Sequence, residues 1–171
     1  CVDEDYLFKN YSYMTPNIEV LNKHYLEIIH YLKNNDFINS NTKAIEIGSN
    51  TGYFLNTLKN YISKTIGVEP AKNIAEFANR NGNLTFNAFF NIKTSSQIKS
   101  EFGLQDIVIA RNMFAHNSYP QEILQGIDVL LAERGIILIE NAYAFDTLKN
   151  GEFDQIYHEH MFYFSVLNMR N

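Results

Sequence analysis

Tyr157, His158, Glu159 and His160 occupy four consecutive positions in a 171-residue chain, within the stretch F-D-Q-I-Y-H-E-H-M-F-Y-F-S. A phenol, two imidazoles and a carboxylate so close together admit three chemistries. On a strand, His158 and His160 would share one face, as two metal ligands could. Zinc takes three protein ligands even in a catalytic site, and the sequence supplies only a distant third such as His116. A second reading is a polar stretch at the surface. The third is acid–base work. A carbon beside a ketone becomes a nucleophile only after losing a proton, and imidazole, with an ordinary pKa of about 6.5, suits that transfer near neutrality. The enolate oxygen then needs a donor, which a tyrosine or a second histidine can provide.

These groups need a scaffold, and the chain has the composition of one globular domain: 46% hydrophobic residues, 19% charged and a net charge of −5. It has no long Lys/Arg block, which argues against nucleic acid as the main partner. No apolar run approaches ~18 residues, so no membrane-spanning helix is expected. The first residues, C-V-D-E-D-Y-L-F-K-N, do not look like an export signal, and a cytoplasmic location is expected. The single cysteine, Cys1, cannot form an internal disulfide.

Along the chain, strand-like and helix-like stretches alternate. An amphipathic helix is expected after Thr15 and Pro16, with Ile18, Leu21, Tyr25, Ile28, Ile29 and Leu32 on one face. Strands are expected in K-A-I-E-I-G, K-T-I-G-V-E-P, L-T-F-N-A-F-F, Q-D-I-V-I-A-R-N and G-I-I-L-I-E-N-A-Y. The helix between the last two should run to a stop at Gly135, and H-M-F-Y-F-S-V is a candidate sixth strand. Continuous apolar strands, each followed by a helix, predict an α/β fold: a doubly wound, mostly parallel sheet with ligands at the carboxyl ends of its strands.

The first strand runs into Glu46-Ile47-Gly48-Ser49-Asn50-Thr51-Gly52, an E-x-G-x-x-x-G spacing. A dinucleotide loop prefers G-x-G-x-x-G, whose second glycine lets the backbone close on a pyrophosphate. Asn50 stands in that place here. Loop amides can still meet a carboxylate, and Glu46 would set a negative charge near an ammonium group. A ligand with an amino-acid end, such as S-adenosylmethionine (SAM), fits better than a dinucleotide. Glu69, before Pro70 at the end of the second strand, is placed to accept from ribose hydroxyls. Ala88, Phe89 and Phe90 would line the adenine. Ala110 and Asn112, at the end of the fourth strand, complete the expected cofactor side.

A-I-E-I-G-S-N-T-G-Y-F-L, G-V-E-P-A-K-N-I-A-E-F-A-N-R-N-G, D-I-V-I-A-R-N-M-F-A-H-N and F-D-Q-I-Y-H-E-H-M-F-Y-F-S together resemble the SAM-dependent C-methyltransferases that act on nucleotide-linked keto-sugars. The resemblance runs from about Tyr6 to the end, departing at Thr51, where the family often has Asp. It implies a Rossmann-like class I methyltransferase fold with an N-terminal helical segment, a nucleotide-sugar substrate and no resident metal in this part. It implies His160 as the base, Glu159 as an orienting or hydroxyl-binding group, and Tyr157 as a donor to the enolate. His116 matches an active-site histidine, Tyr11 a tyrosine folding over the cleft, Asn112 a polar residue near both ligands, and His158 a structural position. One domain is expected over 1–171. Residues 1–40 form an extension and helix, 41–150 the SAM core and 151–171 a substrate-side segment. Family members carry an N-terminal zinc-binding segment and a C-terminal domain not visible here, so the chain is expected to be a piece of a longer protein. Three alternatives stand beside this reading: O- or N-methyl transfer to another small molecule, a nicotinamide oxidoreductase, and a SAM-binding module without chemistry.

Overall fold

Near-continuous branched residues make the central strands, because they pack well on a pleated surface buried on both sides. The computed structural model describes Phe8 and residues 11–157 and 159–170; Cys1 and His158 lie outside the described residues. In chain order the elements begin with α1 (Glu19–Asn34), β1 (Lys43–Ile47), α2 (Tyr53–Leu58), β2 (Lys64–Val68) and α3 (Lys72–Arg80). They continue with β3 (Thr85–Phe86), α4 (Ile92–Phe102), β4 (Gln105–Arg111), α5 (Pro120–Leu130), β5 (Leu131–Glu140), α6 (Ala144–Asn150) and α7 (Val166–Arg170). Short 3₁₀ turns lie at Phe114–His116 and Phe153–Gln155. The strands form one sheet in the order β3-β2-β1-β4-β5, every pair parallel. The order reverses between β1 and β4, which opens a crevice at their carboxyl ends.

The period of two divides the core. Ile45, Ile47, Val108 and Ala110 face one side with Phe90, Ile98, Ile123, Ile127 and Leu130. Ala44, Ile107 and Ile109 face the other with Tyr25, Ile29, Leu32, Phe54, Leu55 and Leu58. The same alternation sends Glu46 and Arg111 toward the second side, against Tyr25 and Phe54.

Several boundaries differ from the sequence expectation. Helix α1 begins at Glu19, not near Thr15, and Ile18 is its exposed N-cap. Thr15 is engaged elsewhere: its N–H donates to Asn50 Oδ1, and its carbonyl accepts from Thr51 Oγ1. The third strand keeps only two residues, because Asn87 Nδ2 donates to the Glu69 and Pro70 carbonyls and turns the chain across the sheet end. Helix α5 stops at Leu130 rather than Gly135. Leu131 already pairs with Gln105, and a bulge separates that pair from Ile136 opposite Ile107. A Cβ on Gly135 would fall 2.6 Å from Leu131 Cδ1, so a larger residue at the bulge would require the Leu131 side chain to shift. The sixth strand does not form. Its stretch contributes one bridge, Phe164 to Tyr143, and β5 is the sheet edge.

Candidate functional site

The residues after β1, β2, β4 and β5 converge on a cavity of about 540 Å³, within the range of small-molecule sites. Its floor is the loop after β1. Gly48 (φ 67°) and Gly52 (φ 75°) take left-handed backbone, and so does Asn50 (φ 47°) without being glycine. The Gly48 and Ser49 N–H groups both donate to Val68 O, pinning the loop to β2. A Cβ on Gly48 would meet Met113 Cβ at 2.9 Å, and one on Gly52 would collide with the Asn83 amide. These glycines allow close packing as well as the turn.

Glu69 locks the loop from the next strand. Its Oε2 accepts from Asn50 N at 3.0 Å and its Oε1 from Ala71 N at 2.9 Å. Burial pushes its carboxyl pKa up, and the two amides oppose that. The carboxylate still borders the cavity and keeps lone pairs for further donors. Ser49, Pro70, Ala88, Phe89, Phe90 and Asn112 also line the cavity. Three expected residues stand apart from the lining, Gly52 among them as the buried left-handed N-cap of α2. Ala110 is fully buried in the core. Glu46, 1% exposed, turns to Arg111, whose Nε donates to its Oε1 at 2.8 Å.

Among the lining residues that sequence reasoning missed are Arg111, Glu140 and His24. Glu140 Oε2 lies 3.2 Å from His24 Nε2, and its Oε1 accepts from Asn112 Nδ2 at 3.2 Å. Asn112 (φ 49°) is a second non-glycine residue in left-handed backbone on the cavity wall. The signal available was positional, since Arg111 and Glu140 end the fourth and fifth strands.

The structure brings Tyr11, His116, Tyr157, Glu159 and His160 onto one wall of the cavity. Backbone bonds hold the late segment there: Met161 N and Phe162 N both donate to Ala115 O, in the turn after β4. Tyr11 Oη donates to Glu159 Oε2 at 2.9 Å, and His116 Nδ1 lies 3.8 Å from the same oxygen. The His116 and His160 rings meet edge to face at 4.9 Å.

His160 is held at both nitrogens. Nδ1 is 2.8 Å from the Gln155 carbonyl, which can only accept, so Nδ1 carries the hydrogen. The neutral ring then presents a bare Nε2, which accepts from Tyr157 Oη at 2.8 Å. Burial and then the Glu159 carboxylate raise the phenol pKa of both Tyr11 and Tyr157, keeping them donors. Burial, followed by the neighbouring His160, lowers the His116 pKa, so that imidazole is neutral at pH 7. Among the described residues no three His, Cys, Asp or Glu side chains are grouped to hold a metal ion, and no helix is long and apolar enough to cross a membrane.

The pattern of a methyltransferase domain matches residues 19–171. The chain belongs to this methyltransferase family. The chain is 33% identical over 165 residues to the C-methyltransferase NovU of Streptomyces niveus, covering 96% of this chain and 39% of that protein. The fold matches a possible histamine N-methyltransferase from Thermotoga maritima with a TM-score of 0.61 at 18% identity, covering 86% of this chain and 67% of that one. It also matches the plantazolicin methyltransferase BpumL, crystallised with S-adenosylhomocysteine (SAH), with a TM-score of 0.54 at 16% identity, covering 70% of this chain and 46% of that one. The Rossmann-like class I expectation is therefore met, with SAM as the cofactor that such a methyltransferase uses.

The residues present fit that donor. A glycine loop pinned to β2, the Glu69 carboxylate with spare acceptor capacity, and the Phe89 and Phe90 rings border one cavity. Glu69→Ala is expected to weaken SAH binding roughly tenfold or more, because it removes a charged acceptor and frees the Asn50 and Ala71 amides. Isothermal titration checks this; unchanged affinity would take Glu69 out of the site.

Proposed function

We propose that this chain is the donor-binding and catalytic part of a methyltransferase that alkylates a carbon of a nucleotide-linked keto-sugar through an enolate. The observation that carries this reading is the pair of contacts that hold the His160 ring, Gln155 O at Nδ1 and Tyr157 Oη at Nε2. A carbonyl holds Nδ1–H, so the basic Nε2 faces a phenol on the cavity wall. That arrangement suits removal of a proton from carbon followed by donation to the oxygen it leaves charged. The similarity to NovU, a C-methyltransferase, supports the same class. The chain spans 39% of that relative, so the activity of the whole protein is part of the proposal.

SAM, held by the loop after β1 and Glu69, would supply an electrophilic methyl group, its sulfur keeping the electron pair of the broken bond as a neutral thioether. The chain's residues do the rest. The substrate ketone takes over the hydrogen bond of Tyr157 Oη, which bares His160 Nε2. That nitrogen removes the proton from the carbon beside the ketone, and the electron pair moves to the oxygen. Tyr157, kept protonated, donates to the enolate oxygen, and neutral His116 stands beside it as a second donor. Glu159 holds Tyr11 across the opening and balances the imidazolium that forms on His160.

Enolisation can be read without methyl transfer. In D₂O with SAH in place of SAM, the full-length protein is expected to exchange the hydrogen beside the ketone of a nucleotide-linked keto-sugar, as seen by proton NMR. A protein that methylates an oxygen or nitrogen of its substrate and exchanges no carbon-bound hydrogen would refute the carbon reading.

A further inference from the structure

The cavity wall at the ends of β1, β4 and β5 holds charges that the acid–base chemistry leaves unused. Arg111 and Glu140 are direct partners in the β4–β5 ladder, and Asn112 N donates to Glu140 O at 2.7 Å just beyond them. Each side chain bonds to a different partner. Arg111 gives its Nε to Glu46. Glu140 takes His24 on one oxygen and Asn112 on the other.

The guanidinium is fixed. Its central carbon lies 4.1 Å from the Phe54 ring centre and 4.7 Å from that of Tyr25. Those rings meet edge to face at 5.4 Å, so the group sits in an aromatic corner. Only 11% of the Arg111 side chain is exposed, yet it borders the cavity. The Glu46 bond uses Nε, and Tyr25 also interacts with the guanidinium; the N–H groups on the cavity side of the fork are the ones open to a ligand. A fixed guanidinium fork matches a carboxylate. Glu140, 30% exposed, presents a carboxylate one strand away. A cation and an anion side by side on a cavity wall complement a group that carries both charges on one carbon.

We infer that Arg111 and Glu140 form a clamp for the amino-acid end of the methyl donor, Arg111 taking the α-carboxylate and Glu140 the α-ammonium. The inference rests on the donor assignment made above. It moves the ammonium contact from Glu46, which lies off the cavity lining, to Glu140.

Two ligands separate the clamp from the rest of the site. SAH has the amino-acid end; 5′-methylthioadenosine keeps the adenosine and thioether without it. Both are titrated into the full-length protein and its Arg111→Lys and Glu140→Gln variants. Arg111→Lys keeps a charge opposite Glu46 and loses the fork. Each variant is expected to weaken SAH roughly tenfold or more while leaving 5′-methylthioadenosine unchanged. Equal weakening of both ligands, or of neither, would overturn the clamp. If circular dichroism shows Arg111→Lys unfolded, the part-exposed Glu140→Gln decides alone by the same criterion. A native protein that binds both ligands equally well overturns the clamp and leaves the donor assignment standing. One that binds neither overturns the donor assignment as well.

Discussion

His160→Ala in the full-length protein should lower methyl transfer by roughly 10²- to 10⁴-fold, the usual contribution of a positioned general base, while SAH binds with nearly native affinity. The ring is held by Gln155 O and Tyr157 Oη, and neither belongs to the loop or to Glu69, which bind the donor in this reading. The loss therefore belongs in the chemical step. Tyr157→Phe should reduce the rate less, since His116 stands 4.9 Å from His160 as another donor. Steady-state rates together with calorimetric SAH titration make the test. A His160→Ala enzyme that turns over near the native rate would move the base to His116.

Arg111→Leu should destabilise the fold by about 3–5 kcal/mol, the cost of breaking a buried ion pair from one side. Glu46 is 1% exposed, its Oε1 is bound by Arg111, and its Oε2 is buried without a partner. Burial already pushes the Glu46 carboxyl pKa up, and the Arg111 guanidinium is the main opposing influence. Without it, the carboxylate must take a proton or stay charged in an apolar corner beside Tyr25 and Phe54. The double variant Glu46→Leu with Arg111→Leu should regain most of the loss, because two apolar groups leave no charge unpaired. Urea denaturation of the native, single and double variants measures both terms. A single variant within about 1 kcal/mol of native would show that the pair contributes little.

The layered architecture was legible because it follows from local pattern. Near-continuous apolar runs in K-A-I-E-I and Q-D-I-V-I-A-R specify strands covered on both faces, and the helices between them force parallel crossovers. The early loop was legible for the same reason. Gly48 and Gly52 occupy left-handed backbone that other residues adopt at a cost, so their spacing marks a turn before any contact is known. Boundaries were less legible. Thr15 and Pro16 carry a helix-start signal, but Asn50 and Thr51 take both backbone groups of Thr15, and a contact 35 residues away outweighs the local preference. A run such as L-T-F-N-A-F-F has strand composition, yet the Asn87 side chain draws the chain away after Phe86.

The sequence by itself determined which groups were available for chemistry: a phenol, a carboxylate and imidazoles in one late stretch, and a glycine loop followed by an acidic strand end. Only the tertiary structure decided what each group does. Glu46 looked like a ligand contact, but the strand alternation that places it on the Tyr25 side also brings Arg111 to it from a neighbouring strand. Glu140 lay inside the expected strand G-I-I-L-I-E-N-A-Y, yet the strand ends there and the β4–β5 register sets it beside Arg111 on the cavity wall. The bare nitrogen of His160 depends on a backbone carbonyl five residues earlier, and its place in the cavity on two N–H groups reaching Ala115. Side-chain charge and hydrogen-bonding capacity are written residue by residue. Partner, burial and tautomer arise only where distant segments meet, because they depend on distances that no single segment contains.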